Sequence, residues 1–411
     1  MLLNDRAASG SEQISSSEQT KVTDAADFSL VIGGPFYSLQ QRFLDGGNER
    51  GFLFRRVIMA VLITWVPLLI LTLAGRSAVS DRLGIPFLSD LAVHVRFLVT
   101  IPILIMVENY VNDRIDGGVK KFIRLDIITG DDVPRFRAAL EWAHRVLGSV
   151  FLDAGLLVLA YTAGLYFWRS QMAFTIPTWQ ASPDGNSLNL LAAGYWFVFV
   201  SIPFGQFIVF RWYARFLIWG CVLLKISSLD LKLIATHPDH AGGLRFLNKT
   251  CYAFGAVLFA QGALLSGFIA NDVLYNGRTL MSFRVTAASF IAFFVAVILS
   301  PLLVFTPHLI RTKRRGLTEY GAFAMGYVRD FDDKWIKGKN PESEKAIGSG
   351  DIQSLADLGN SYASLRDMQY FPFAYKDIVR LAVIAAAPLL PLALLTFSIE
   401  DIFDQLVHKL F

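Results

Sequence analysis

The stretch His237-Pro238-Asp239-His240-Ala241-Gly242-Gly243 sets two imidazoles three positions apart, a carboxylate between them and two glycines after them. Nowhere else in the chain do histidines and a glycine pair occur together. His237, Asp239 and His240 can meet one divalent metal ion, with further ligands drawn from His144, His308 or Glu319 on the same side. An anion site is a second reading: bare amides of Gly242 and Gly243, beside Arg245 and Lys249, can cradle a phosphate or lipid headgroup. A plain turn is the third, with Pro238 presetting φ, the glycines bending the chain and His240 capping a helix. H-x-D-H is not an established zinc spacing, and no P-loop or dinucleotide fingerprint accompanies the glycines.

A second set of residues lies inside apolar segments: His94, Arg96, Glu108, Asp153, Gln206 and Gln261. Ionisable groups at membrane depth face a bundle interior or an aqueous cavity and pair with one another. Asp153, about two turns into an apolar segment, is expected to pair with Arg145 or Arg211, either as glue between helices or along a water path. Glu108 and Asn109 fall near the membrane boundary, where simple solvation is expected.

The elements that must position these residues are membrane helices. Of 411 residues 54% are hydrophobic and only 18% charged, and the mean hydropathy is +0.46, far from a soluble composition. Apolar blocks fall near Val57–Gly75, Leu91–Tyr110, Val146–Trp168, Leu190–Phe210, Cys251–Asp272, Val285–His308 and Leu381–Ser398. Each is long enough to cross a hydrocarbon layer of about 30 Å. Backbone polar groups must be satisfied internally in lipid, so the blocks are helices, and the alternation that marks a β-barrel is absent. The predicted fold is all-α, a polytopic bundle of about seven spans with helical extensions on one side. Roughly thirty of the 38 Lys and Arg fall in the N-terminal arm and the second, fourth and sixth loops. That bias predicts a cytoplasmic N-terminus and an external C-terminus. Cys221 and Cys251 alone support neither a disulfide framework nor a zinc site, and the first 50 residues contain no signal-peptide apolar region.

In order, residues 1–26 read as a disordered arm and 27–56 as a cytoplasmic amphipathic segment. Pro35 is expected to open a helix with Phe36, Leu39, Phe43 and Leu44 on one face and Gly46-Gly47 closing it. It lies either on the membrane surface or against the cytoplasmic helices. Residues 57–308 hold the first six spans, interrupted by a cytoplasmic hairpin over 112–145, turning at 129–132, and by a loop over 211–250. Pro134 reopens a helix expected to run on into the third span. Pro102 and Pro388 leave the carbonyls of Leu98 and Ile384 without helical partners. Residues 309–378 form a cytoplasmic helical segment with a flexible linker at 337–350, after which Asp351 is expected to N-cap a helix. Residues 379–411 supply the seventh span and an external end. No convincing repeat is present.

Gly33-Gly34-Pro35-Phe36-Tyr37, Trp65-Val66-Pro67-Leu68-Leu69, Arg211-Trp212-Tyr213, 236–244, Gly316-Leu317-Thr318-Glu319-Tyr320-Gly321 and 351–358 are spread along the chain. On these the whole chain resembles a family of bacterial polytopic inner-membrane proteins without an established activity. The resemblance implies an integral protein of bacterial inner membranes and assigns no catalytic residue.

Enzyme templates fail on count: no G-x-S-x-G, H-E-x-x-H or C-x-x-C is present, and six histidines cannot supply the boxes of a di-iron oxygenase. Nucleic-acid binding is not expected, because the basic residues follow the membrane alternation. The leading expectation is a channel or transporter passing an ion or small solute through a cavity lined by the second to fifth spans. Alternatives are an enzyme or receptor using 237–245, and a scaffold whose cytoplasmic layer binds a protein. Expected partners are the bilayer, anionic lipids at the basic loops and further copies of the chain; the one cofactor the residues suggest is a divalent metal at His237, Asp239 and His240.

Overall fold

The computed structural model describes residues 28–31, 33–44, 49–79, 84–171, 178–184, 187–338 and 350–395. The expected arm 1–26, the closing pair Gly46-Gly47, most of the 337–350 linker and the end beyond residue 395 lie outside the described residues.

The chain is an all-α membrane-type bundle. Six helices are long and apolar enough to cross a bilayer: Gly51–Ala74, Leu91–Arg124, Ala192–Ser227, Arg245–Tyr275, Leu280–Ile336 and Tyr375–Leu395. A bent pair, Asp132–Leu147 and Val150–Tyr166, makes a seventh if counted as one span. We number the spans in chain order with this pair as the third, and call the side holding the second, fourth and sixth loops the basic side.

The third span departs from expectation. Its two halves meet at 50°, where Gly148 ends one helix and the Ser149 hydroxyl accepts from the Phe151 amide to restart the next. Asp153 therefore sits in the first turn of a new helix, not two turns into a continuous one. A helix N-terminus favours a carboxylate there.

Prolines shape the other spans, and neighbouring helices repair what they disrupt. Pro67 deprives the Ile63 carbonyl of its helical partner, and the Trp196 indole of the fourth span donates to it at 2.9 Å. Pro203 does the same to the Phe199 carbonyl, which accepts from the Tyr161 hydroxyl of the third span at 3.1 Å. Pro102 and Pro203 each follow a widened π-turn, Val95–Thr100 and Phe197–Ser201. The rings of Phe97 and Phe197 meet edge-on between these turns at 6.3 Å.

On the basic side the second span continues to Arg124, turns, and returns as Asp132–Leu147, the hairpin the sequence predicts. The sixth span runs on to Ile336, a contour of roughly 85 Å. The helix Gly350–Arg366 folds back against it: Leu365 lies beside Gly316, and the Tyr327 hydroxyl reaches the Asp351 carbonyl. Asp351 does not cap its own helix as expected. Its carboxylate accepts from Lys334 at 2.9 Å and Trp335 at 3.0 Å, which hold it below the ordinary aspartate range. On the opposite side, an antiparallel hairpin of β1 (Ala181–Asp184) and β2 (Ser187–Leu190) was not expected.

Candidate functional site

The most concentrated chemistry lies not at 237–243 but where the first four spans meet near the basic side. Arg56 comes from the first span, Glu108 from the second, Asp153 from the third, and Arg211 and Arg215 from one face of the fourth. Glu108 is only 5% exposed. One carboxylate oxygen accepts from Arg56 and the other from Arg215 at 2.8 Å. The expectation that solvent simply covers Glu108 is thus corrected. Both partners arrive from distant parts of the chain and seal it between them.

Asp153 and Arg211 form the second pair, one of the two pairings the sequence allowed, with the Arg211 Nε 3.9 Å from Asp153 Oδ1. Aromatic rings line the arginines: Phe36 lies 5.0 Å from Arg211, Trp212 5.1 Å from Arg215 and Phe52 5.5 Å from Arg56. Each ring offers its negative face to a cation already withdrawn from water. Three guanidiniums against two carboxylates leave one positive charge in excess.

A strap formed by residues 28–31 and 33–36 lies over this cluster. The Phe28 amide donates to Asp116, and Ser29 and the Leu30 amide donate to Asn112. The Val31 carbonyl accepts from Arg215, and the Phe36 amide donates to Asp153 at 3.2 Å. Phe28, Leu30 and Val31 are buried. Gly34 is required where the strap turns: its φ is +87°, and an added Cβ would stand 3.0 Å from the Leu147 carbonyl. The helix Pro35–Leu44 then docks through Phe36 on Phe207 and Tyr37 on Phe52, leaving Leu39 and Phe43 exposed. The rings it meets belong to the first and fourth spans, not to the cytoplasmic helices that the sequence offered as its support. Two voids of about 10 Å³, each the size of a single water, flank Arg211 and Arg215 beneath the strap. Arg56 Nε and Gln40 Oε1, of residues lining the second void, are buried without partners among the described residues.

The other intramembrane polar residues do not join this cluster. His94 is held at the far side, its Nδ1 accepting from the Trp65 indole at 2.9 Å and its Nε2 3.1 Å from the Leu88 carbonyl. Arg96 stacks 5.3 Å from the Phe268 ring. Gln206 packs against Gly164 and Gln261 sits in the fifth span, each with one buried polar atom unpartnered among the described residues. The sequence reading missed Asp90, which gathers the Trp179 indole, the Asn271 amide and the Val93 amide around one buried carboxylate. Its position just ahead of an apolar helix was the signal.

At 237–243 a nest of amides does form, but the chain fills it itself. Asp239 accepts from the backbone amides of Ala241 (2.8 Å), Gly243 (3.1 Å) and Arg245 (3.1 Å). Burial pushes the Asp239 carboxyl up; these amides and the His237 imidazole outweigh it and hold the group below the usual aspartate range. His240, Gly242 and Gly243 all take positive φ, the geometry that turns successive amides inward. The anion reading of Gly242, Gly243 and Arg245 is corrected accordingly: the anion is Asp239, Arg245 turns to Gln369 at 3.3 Å, and Lys249 stays exposed. His237 Nδ1 lies 2.8 Å from Asp239 Oδ1, while the His240 carbonyl accepts from the Gln369 amide at 2.7 Å. His144 lies by the strap and Glu319 pairs with Arg315. Among the described residues no three His, Cys, Asp or Glu side chains converge as metal ligands. The knot works as a clasp, joining the fourth loop to the segment after Arg366.

No family model, curated protein or solved structure matches this chain.

Proposed function

We propose that this membrane protein passes a small anion or solute, and that the arginine cluster beneath the strap is the basic-side mouth of its route. The observation that carries the reading is the excess of buried guanidinium over carboxylate, flanked by water-sized voids. Buried charges ordinarily balance; an excess cation beneath a removable cover is a place for a mobile anion. The strap fills that mouth, so the conformation described is closed. Deleting residues 1–34 is expected to raise chloride or nitrate entry into proteoliposomes severalfold over the full chain, without raising potassium entry. Equal entry by both chains, or entry dominated by potassium, would count against it.

We further propose a bacterial inner-membrane setting with the basic side cytoplasmic. In a background with Cys221 and Cys251 replaced, a cysteine at Arg278 should react with an impermeant thiol reagent in sealed cells and one at Thr129 should not. Labelling of Thr129 from outside reverses the orientation.

One observation supports a different role, as a platform for a protein or a second copy. Phe323 is 64% exposed and Ile336 74% exposed on the basic-side extension, the kind of apolar surface that marks association. Cross-linking of the purified protein to itself through cysteines at these positions tests the homo-oligomeric form.

A further inference from the structure

We propose that an open groove at the basic-side end of the sixth span binds an anionic phospholipid, whose phosphate meets Arg311 and Arg314. The groove encloses about 600 Å³. Its floor is one face of a continuous helical run: Leu303, Pro307, Ile310, Arg311 and Arg314 are spaced i, i+4, i+7, i+8 and i+11. Phe371, from the segment preceding the seventh span, forms the facing wall. Leu303 and Phe371 are both exposed, so the apolar part of the groove lacks a cover.

The two arginines are set apart from their neighbours by having no internal task. Within the basic run, Lys313 is buried and donates to the Met368 carbonyl at 2.6 Å, and Arg315 pairs with Glu319 at 2.7 Å. Arg311 and Arg314 are exposed, their guanidiniums make no hydrogen bond or ion pair among the described residues, and no carboxylate lines the groove. The order along the helix is apolar first and guanidinium next, at the end of a membrane-spanning window. A phospholipid presents the same order, acyl chain and then phosphate. A free phosphate satisfies the arginines and leaves the apolar wall bare. A zwitterionic lipid brings a second cation against two arginines. An anionic lipid meets both demands, with a bidentate fork available from each guanidinium.

The test is native mass spectrometry of the delipidated full chain titrated with phosphatidylglycerol or phosphatidylcholine, for wild type, R311Q/R314Q and R315Q. One arginine near an anionic lipid surface is worth roughly fivefold in affinity, so the double variant should bind phosphatidylglycerol about 25-fold more weakly. R315Q should match wild type, and phosphatidylcholine should bind wild type no better than it binds the double variant. Inorganic phosphate should not displace the bound lipid. Both arginines are exposed, so the double variant should keep the wild-type elution profile, which separates lost binding from lost folding. Equal phosphatidylglycerol binding by the double variant and wild type overturns the proposal, as does wild-type binding of phosphatidylcholine at equal strength. Displacement by phosphate alone reassigns the groove to a free anion and also overturns it.

Discussion

Glu108→Leu is expected to destabilise the protein by about 3–5 kcal/mol, because it strands Arg56 and Arg215 in a buried site without their shared counter-charge. The carboxylate takes a hydrogen bond on each oxygen; leucine can take neither. Glu108→Gln keeps the volume and one acceptor, so its loss should be smaller but still large. The diagnostic comparison is a triple variant, Arg56→Met, Glu108→Leu and Arg215→Met, which removes all three charges together. Replacing a whole buried ion set with apolar side chains of similar size is often nearly neutral. The triple variant should therefore be more stable than Glu108→Leu alone, a strongly non-additive result. Denaturant unfolding in detergent followed by tryptophan fluorescence measures this. A Glu108→Leu protein as stable as wild type would mean that the two arginines find water or lipid phosphate without help.

Removing Asp239 should have the next largest effect. Its carboxylate satisfies three backbone amides in a turn whose neighbours Ala241 and Leu244 are fully buried. Asp239→Ala leaves those donors unmet, for about 2–4 kcal/mol, given 1–3 kcal/mol per unsatisfied group and incomplete additivity. Asp239→Asn retains one oxygen and should lose about half as much. Because the folded-state pKa is depressed, the stabilisation is fully present above the unfolded value near 3.9 and fades as pH falls through the folded value. The acid limb of the wild-type stability curve should therefore be steeper, below about pH 4, than that of Asp239→Asn. Acetate or phosphate in solution should restore part of the stability of Asp239→Ala by entering the vacated nest. A change in Asp239→Ala below about 0.5 kcal/mol, the scale of an ordinary surface substitution, would show that the clasp contributes little.

Much of this architecture was legible because lipid allows few alternatives. Apolar length located the spans, and Asp153 was expected to find a cation, which Arg211 supplies. The helix from Pro35 and the hairpin around residue 130 followed from local turn chemistry. What was hidden depends on three-dimensional convergence. Glu108 looked like a boundary residue because its partners lie 52 and 107 positions away. The strap looked like part of an interfacial segment, since Asn112 and Asp116 hold it through contacts that no local pattern encodes. The break at Gly148 was masked by two helices that each read well alone. At 237–243 the glycines correctly signalled inward-turned amides, but local spacing did not reveal that Asp239 occupies them.

The most direct measurement of the central claim is anion flux through Arg211→Gln in proteoliposomes, with the strap deleted so that the mouth is open. Arg211 borders both voids and is the cluster's least tightly paired guanidinium, 3.9 Å from its carboxylate. Substituting it leaves the Glu108 triad intact, and the Phe36 amide and its own helix N-terminus still hold Asp153, so folding should persist. The account predicts that chloride entry falls at least about tenfold, the effect of losing about 1.4 kcal/mol of attraction for the anion. Chloride entry that equals the strap-deleted parent, in vesicles holding equal amounts of folded protein, would contradict it.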